Sequence, residues 1–178
     1  MCMKHDKLIS ETQISSRIKE LGQQISQDYC DRSVTLIGVL KGAFIFLSDL
    51  SRALSIPHMV DFMAVSSYGS STSSSGIVRI LKDLDYPITN QHILLVEDII
   101  DSGLTLKYLL NMFYSRSPAS VAVCALLDKT NKHPDEKLAD YIGFEIPDKF
   151  VVGYGLDYQQ LYRNLPYIAT VNNVENNE

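Results

Sequence analysis

Apolar residues recur along the chain in two rhythms, and the alternation between those rhythms outlines the structural elements. Over residues 10–28, Ile14, Ile18, Leu21 and Ile25 return at the spacing of one helix face, and Ser10 with Gln13 can close a capping box. A helix is therefore expected there. SVTLIGVL (33–40) is a continuous β-branched and leucine-rich run, which predicts a strand buried on both faces. AFIFLSDLSRAL (43–54) suits a helix that stops before Pro57. Strands are expected over 58–66, 77–84, 92–97 and 120–127, with a helix over 104–115. Shorter apolar runs follow at 141–144, 150–154 and 167–171, before a polar VENNE tail.

Continuous apolar strands alternating with helices define an α/β protein with a parallel sheet covered on both faces. At 178 residues, with no internal repeat or interdomain linker, the chain reads as one domain over 1–178. SSYGSSTSSSG (66–76) interrupts the pattern: seven of its eleven residues are serine, too polar to order by burial. It reads either as a mobile loop or as a flexible hairpin connection.

Charge and cysteine usage narrow the function. Lys and Arg total 16 against 21 Asp and Glu, a net charge of −5 that disfavours non-specific nucleic-acid binding. Cys2, Cys30 and Cys124 have no metal-ligand spacing and read as reduced thiols, and the four histidines show none either. The start lacks an apolar leader, and the apolar runs are shorter than the ~18 residues of a membrane span. A soluble cytoplasmic protein is expected.

The chemistry concentrates in VEDIIDSGLTL (96–106). Glu97 and Asp98 fall at the end of a buried strand, where ligands bind in open parallel sheets, and Asp101 falls on the turn. Ser102, Gly103, Leu104 and Thr105 then open a helix whose first amides and dipole favour an anion. The alternative is an ordinary helix start with Asp or Ser as N-cap and solvated acids beside it.

VEDIIDSGLTL closely resembles the phosphoribosyl-pyrophosphate (PRPP) motif of the type I phosphoribosyltransferases, in particular their hypoxanthine and hypoxanthine-guanine branch. VLKGAFIF (39–46), SSYGSSTSSSG (66–76), KDLD (82–85), LLDKT (126–130) and GFEIPDKFVVGYGLDYQQLYRNLPY (143–167) match in the family's order. The resemblance implies a helix-flanked parallel sheet with a small hood built from the N- and C-terminal segments. It implies purine salvage: transfer of phosphoribose from PRPP to hypoxanthine, and to guanine, giving IMP or GMP and pyrophosphate with Mg2+.

By the same resemblance, Glu97 and Asp98 would hold the ribose hydroxyls and the metal, and Asp101 would be the acid/base near purine N7. Ser102, Gly103, Leu104 and Thr105 would cradle the 5′-phosphate. Leu40, Lys41 and Gly42 would form the pyrophosphate loop, with a cis peptide before the glycine and Ala43 where some members have a second glycine. Arg163 would bind pyrophosphate. Lys129 would read the purine 6-oxo group, since an ammonium only donates and so opposes adenine's amine. Phe150 would stack on the base and the Val151 backbone would read its edge. Asp157 would lie beside the base and help to hold a second magnesium. Ser67 and Tyr68 would head a lid over about 66–76. A homodimer or homotetramer acting on small molecules, with neither nucleic acid nor membrane as partner, is implied.

Each of these has a plainer reading. Lys41 and Lys129 could be solvated lysines, Phe150 a core aromatic, and Asp157 with Arg163 a surface ion pair. An RNA-binding regulator on the same fold would need a basic face, and a catalytically dead nucleotide-binding module would not need Lys41, Asp101, Asp157 and Arg163 together.

Overall fold

Each continuous apolar strand must bury two faces, so the strands stack edge to edge with helices on either side. The computed structural model describes residues 5–67 and 78–171. Along the chain run β1 (His5–Ile9), α1 (Glu11–Asp28), β2 (Val34–Leu40), α2 (Phe44–Ala53), β3 (His58–Ser67) and β4 (Val78–Lys82). They are followed by β5 (His92–Ile100), α3 (Leu104–Tyr114), β6 (Ser120–Asp128), β7 (Tyr141–Glu145), β8 (Val151–Val152) and β9 (Ile168–Val171).

Six strands form the central sheet in the order β4-β3-β2-β5-β6-β7. Five run parallel, and β4 runs antiparallel to β3. The expected parallel sheet thus carries one antiparallel edge strand. A parallel neighbour needs a long, usually helical crossover, which the serine-rich connection between β3 and β4 does not encode. Ser66 and Ser67 belong to β3, opposite Arg79 and Val78. Tyr68 and the rest of the expected lid to residue 76 lie outside the described residues, as does Cys2.

Alternate strand positions feed two cores. Leu36, Leu94, Val96, Cys124 and Leu126 face α1 and α2, where Ile14, Ile18, Leu21 and Ile25 meet Phe46, Leu47 and Leu50. Ile37, Ile93, Leu95, Val123 and Ala125 face Leu106, Leu109 and Phe113 of α3. Each such fully buried aliphatic side chain contributes about 1.5–3 kcal/mol. The Ser10–Gln13 capping box forms as expected at the start of α1. Cys30 and Cys124 are free thiols. Among the described residues no helix is long and apolar enough to cross a membrane.

The hood is a second, antiparallel sheet of order β1-β9-β8, joining the two ends of the described chain, with His5 opposite Val171. β1 has no apolar rhythm and is not predicted by one. β8 is shorter than the 150–154 run suggests, because Gly153 (φ 99°) and Tyr154 (φ 51°) turn left-handed and end it.

Candidate active site

The sheet's carboxyl ends and the hood meet over the turn that leaves β5. That strand runs further than expected, through Ile100, so Glu97 and Asp98 lie on it and Asp101 follows on the bend. Glu97 is buried, and Asp98 is partly buried. Burial, with the neighbouring Asp98 charge, raises the Glu97 carboxyl well above the usual range. Burial likewise lifts Asp98 to about 6, against the pull of backbone N–H donors and of Arg163. Among the described residues neither acid has a lysine or arginine ion pair.

Beyond these acids, residues 97–106 line a cup of about 220 Å³. Gly103 is the N-cap of α3, with φ 74° and no side-chain capping bond, which excludes the reading of Asp or Ser as cap. Its first helical bond runs from Lys107 N–H, at 2.9 Å, so the amides of the preceding turn are left for an anion in the cup. The glycine has a structural reason as well. A Cβ there would stand 2.3 Å from Leu138 Cδ1.

The loop after β2 carries a cis peptide between Leu40 and Lys41. Gly42 then passes so close to Asp98 that a Cβ would lie 1.5 Å from its Oδ2. Exposed Lys41 donates to Gln160 Oε1 at 3.2 Å, and Arg163 donates to the same oxygen at 3.2 Å. Arg163 also pairs with Asp157 at 2.7 Å and donates to the Gly155 carbonyl at 2.7 Å. The Asp157–Arg163 pair thus exists as the plainer reading has it, but it is mostly buried. Two cations converge on one amide oxygen, and Gln160, which brings them together, is not predicted by any spacing in the sequence.

On the other side of the acids, a cavity of about 180 Å³ is lined by Asp98, Asp101, Lys129, Phe150, Val151 and Asp157, among others. Lys129 is not solvated: it is 8% exposed. Its ammonium lies 3.4 Å from Asp101 Oδ2 and 3.1 Å from Asp148 Oδ1. Phe150 is 45% exposed and so is no core aromatic; Tyr158 packs edge-on against it, with ring centroids 5.7 Å apart. Val151 sits on β8, the hood's outer strand, whose far edge has no strand partner among the described residues. Asp148 and Tyr158 are further residues that sequence reasoning misses. No described histidine side chain lines either cavity, and buried His133 bonds Asp128 at 2.8 Å.

A phosphate-sized cup with bare helix amides, a buried acid pair and an adjoining slot with a donor and an aromatic face suit a phosphorylated sugar meeting a flat base. Residues 6–159 match the family model described as the phosphoribosyl transferase domain, and the chain belongs to that family. Within it, the chain is 54% identical over 171 residues to the hypoxanthine-guanine phosphoribosyltransferase of Mycobacterium tuberculosis, covering 92% of this chain and 84% of that one. It is 51% identical to the Bacillus subtilis hypoxanthine-guanine enzyme, covering 95% and 96%. The Escherichia coli hypoxanthine phosphoribosyltransferase is 49% identical, covering 95% and 97%. A solved Bacillus anthracis hypoxanthine-guanine phosphoribosyltransferase superposes with a TM-score of 0.90 at 46% identity, covering 96% of this chain and 100% of that chain.

Proposed function

We infer that the protein is a pentosyltransferase of purine salvage, moving the 5-phosphoribosyl group of PRPP to hypoxanthine, and to guanine, to give IMP or GMP and pyrophosphate. The observation that carries this reading is that Asp98 and Asp101 line both the anion cup and the base-sized cavity. The ribose would bridge the two compartments, with its anomeric carbon beside the acids.

In this reading Ser102, Gly103, Leu104 and Thr105 hold the 5′-phosphate, and Lys41, Gly42 and Arg163 take the pyrophosphate. Glu97 and Asp98 bind the ribose hydroxyls. The base's imidazole nitrogen attacks the anomeric carbon as its bond to the pyrophosphate oxygen breaks, and pyrophosphate leaves with the electron pair. Asp101 accepts the proton the base gives up, and its position suits the positive charge that builds on the sugar. Lys129 donates to the 6-oxo oxygen, Phe150 stacks on the ring, and Val151 and Asp157 border its edge.

The residues fit magnesium. Among the described residues no group of three or more His, Cys, Asp or Glu forms a protein cage. Magnesium takes few carboxylates and completes its shell with water and phosphate oxygens. Glu97 and Asp98 would hold one ion and Asp157 would help to hold a second, and bound magnesium would neutralise charge on the pyrophosphate. Exposed Met59, Val60, Leu81 and Tyr86 support assembly into a homodimer or homotetramer. The cytoplasm is the setting in which PRPP is met.

The reading is tested by offering hypoxanthine, guanine, xanthine and adenine separately to purified protein with PRPP and magnesium. Nucleotide is expected from 6-oxo purines and none from adenine. Absence of product from every purine, with folded protein, would overturn it.

A further inference from the structure

Lys129 is buried between two carboxylates, and the more distant one belongs to the proposed base catalyst. Asp101 Oδ2 stands 3.4 Å from the ammonium, while Asp148 Oδ1 stands 3.1 Å from it. Asp148 turns its other oxygen to Lys132, 2.8 Å away. The result is a row of alternating charges: Asp101, Lys129, Asp148, Lys132. Only the Lys129 side chain is enclosed, with 10% exposed against 48% for Asp148 and 54% for Asp101.

Two conflicting demands fall on Lys129. An enclosed ammonium has lost much of its hydration, so it needs an anion beside it. Yet an ammonium spent wholly on Asp101 would occupy the carboxylate that has to take a proton from the base. A lysine has three N–H donors. One directed to Asp148 and one shared with Asp101 leave a third for an oxygen on the bound purine.

We propose that Asp148 is a positioning residue for base recognition, holding the Lys129 ammonium toward the purine oxygen and partly off Asp101. This rests on the purine reading above. The backbone is set for the task. Ile146 N–H donates to the Asp128 carbonyl at 2.9 Å, which ties the approach to Asp148 to the last residue of β6, directly before Lys129. Lys149 N–H donates to the Pro147 carbonyl at 2.7 Å, so Asp148 lies within a tight turn that leads straight to Phe150. The turn that presents the stacking ring therefore also anchors the lysine that reads the same base. Lys132 and Lys129 together hold the Asp148 carboxyl below its ordinary range, so it stays ionised for this purpose.

The test compares Asp148→Asn, Asp148→Glu, Lys132→Met and Lys129→Met in steady-state kinetics. Asp148→Asn should raise the KM for hypoxanthine by roughly 10- to 100-fold, the usual scale for a hydrogen bond to a charged group, and leave the KM for PRPP unchanged. Asp148→Glu should recover most of that loss. Lys132→Met removes only the contact to the far oxygen, so it should raise the same KM by less than Asp148→Asn does. Unsubstituted purine, used as a competitive ligand, lacks the oxygen that Lys129 would hold, so its inhibition constant should not move. In the Lys129→Met background, Asp148→Asn should add nothing. Equal loss for both purines, a matching rise in the KM for PRPP, or additivity with Lys129→Met would each overturn the proposal. If Asp148→Asn failed to fold, Asp148→Glu would decide: hypoxanthine KM near wild type supports the role, and a tenfold rise overturns it. Wild-type protein inert toward hypoxanthine would bring down the purine reading itself. Active wild type with an indifferent Asp148→Asn would bring down this inference alone.

Discussion

Two acidic regions face each other across the site, and the protein treats them in opposite ways. On the loop after β8, Asp157 is satisfied from within: Arg163 pairs with one oxygen at 2.7 Å, and the Gln160 N–H donates to the other at 2.7 Å. At the end of β5, Glu97 and Asp98 have no ion-pair partner among the described residues, the Gly42 loop closes over Asp98, and both titrate high. The loop acid contributes to the folded state as it stands. The strand acids weigh against it, since uncompensated buried charge is costly. Under the proposed function that cost is offset when ribose hydroxyls or a metal bind, the usual conflict between stability and function at a site.

The comparison can be broken most severely at Asp101, the exposed carboxylate at the end of the unsatisfied stretch. Asp101→Asn keeps the shape and removes the basicity. Nucleotide formation should fall by roughly 10²- to 10⁴-fold, with PRPP affinity nearly unchanged in equilibrium binding. Turnover equal to wild type would remove Asp101 from acid/base work.

Arg163→Met converts the satisfied acid into an unsatisfied one. Pyrophosphate affinity, read by titration calorimetry, should weaken about 10- to 100-fold, the loss expected for a charge-assisted contact. Unchanged affinity would reduce Arg163 to a structural partner of Asp157.

Gly103→Ala tests the cup that borders the strand acids. A left-handed N-cap and the approach of Leu138 both oppose a Cβ, so denaturant unfolding should show a loss of about 1–3 kcal/mol. A midpoint like wild type's would mean that the helix start re-forms at no cost.

The mildest change runs the other way. Native Asp98 keeps its proton up to about pH 6, whereas the carboxyl of the unfolded chain loses it near 3.8. Between those values the native state binds more protons, so stability falls as pH rises through that window. Asp98→Asn removes this loss. In the absence of ligands it should melt above wild type at pH 7 and level with it below pH 3.8. A lower melting point at pH 7 would show that the strand acid is already compensated.

The central sheet was legible because each strand is a single apolar run whose physics is local. Ile14 through Ile25 and Val34 through Leu40 announce their elements without help from the rest of the chain. The PRPP-like stretch was legible for a similar reason, since eleven consecutive residues carry acids, turn and helix start together. β1 was not, because its HDKLI sequence becomes a strand only by pairing with β9 at the far end of the chain. The antiparallel β4 depends on the connection that precedes it rather than on its own residues. Gln160 and Asp148 escaped for a further reason. Each acts by touching groups remote in sequence, Lys41 for one and Lys129 for the other, and no periodicity encodes such a meeting.

The hood closes by pairing β1, near the start of the chain, with β9, near residue 171. During synthesis the central sheet has all its strands once residue 145 has emerged, while Val151 still lacks the neighbour that fixes it. In a nascent chain the residues of the central strands and of the cup over 97–106 therefore emerge before those that complete the base-sized cavity. The order of emergence thus leaves the segment that closes the hood, with Val151, Tyr154, Leu156 and Ile168 of the main core, until last.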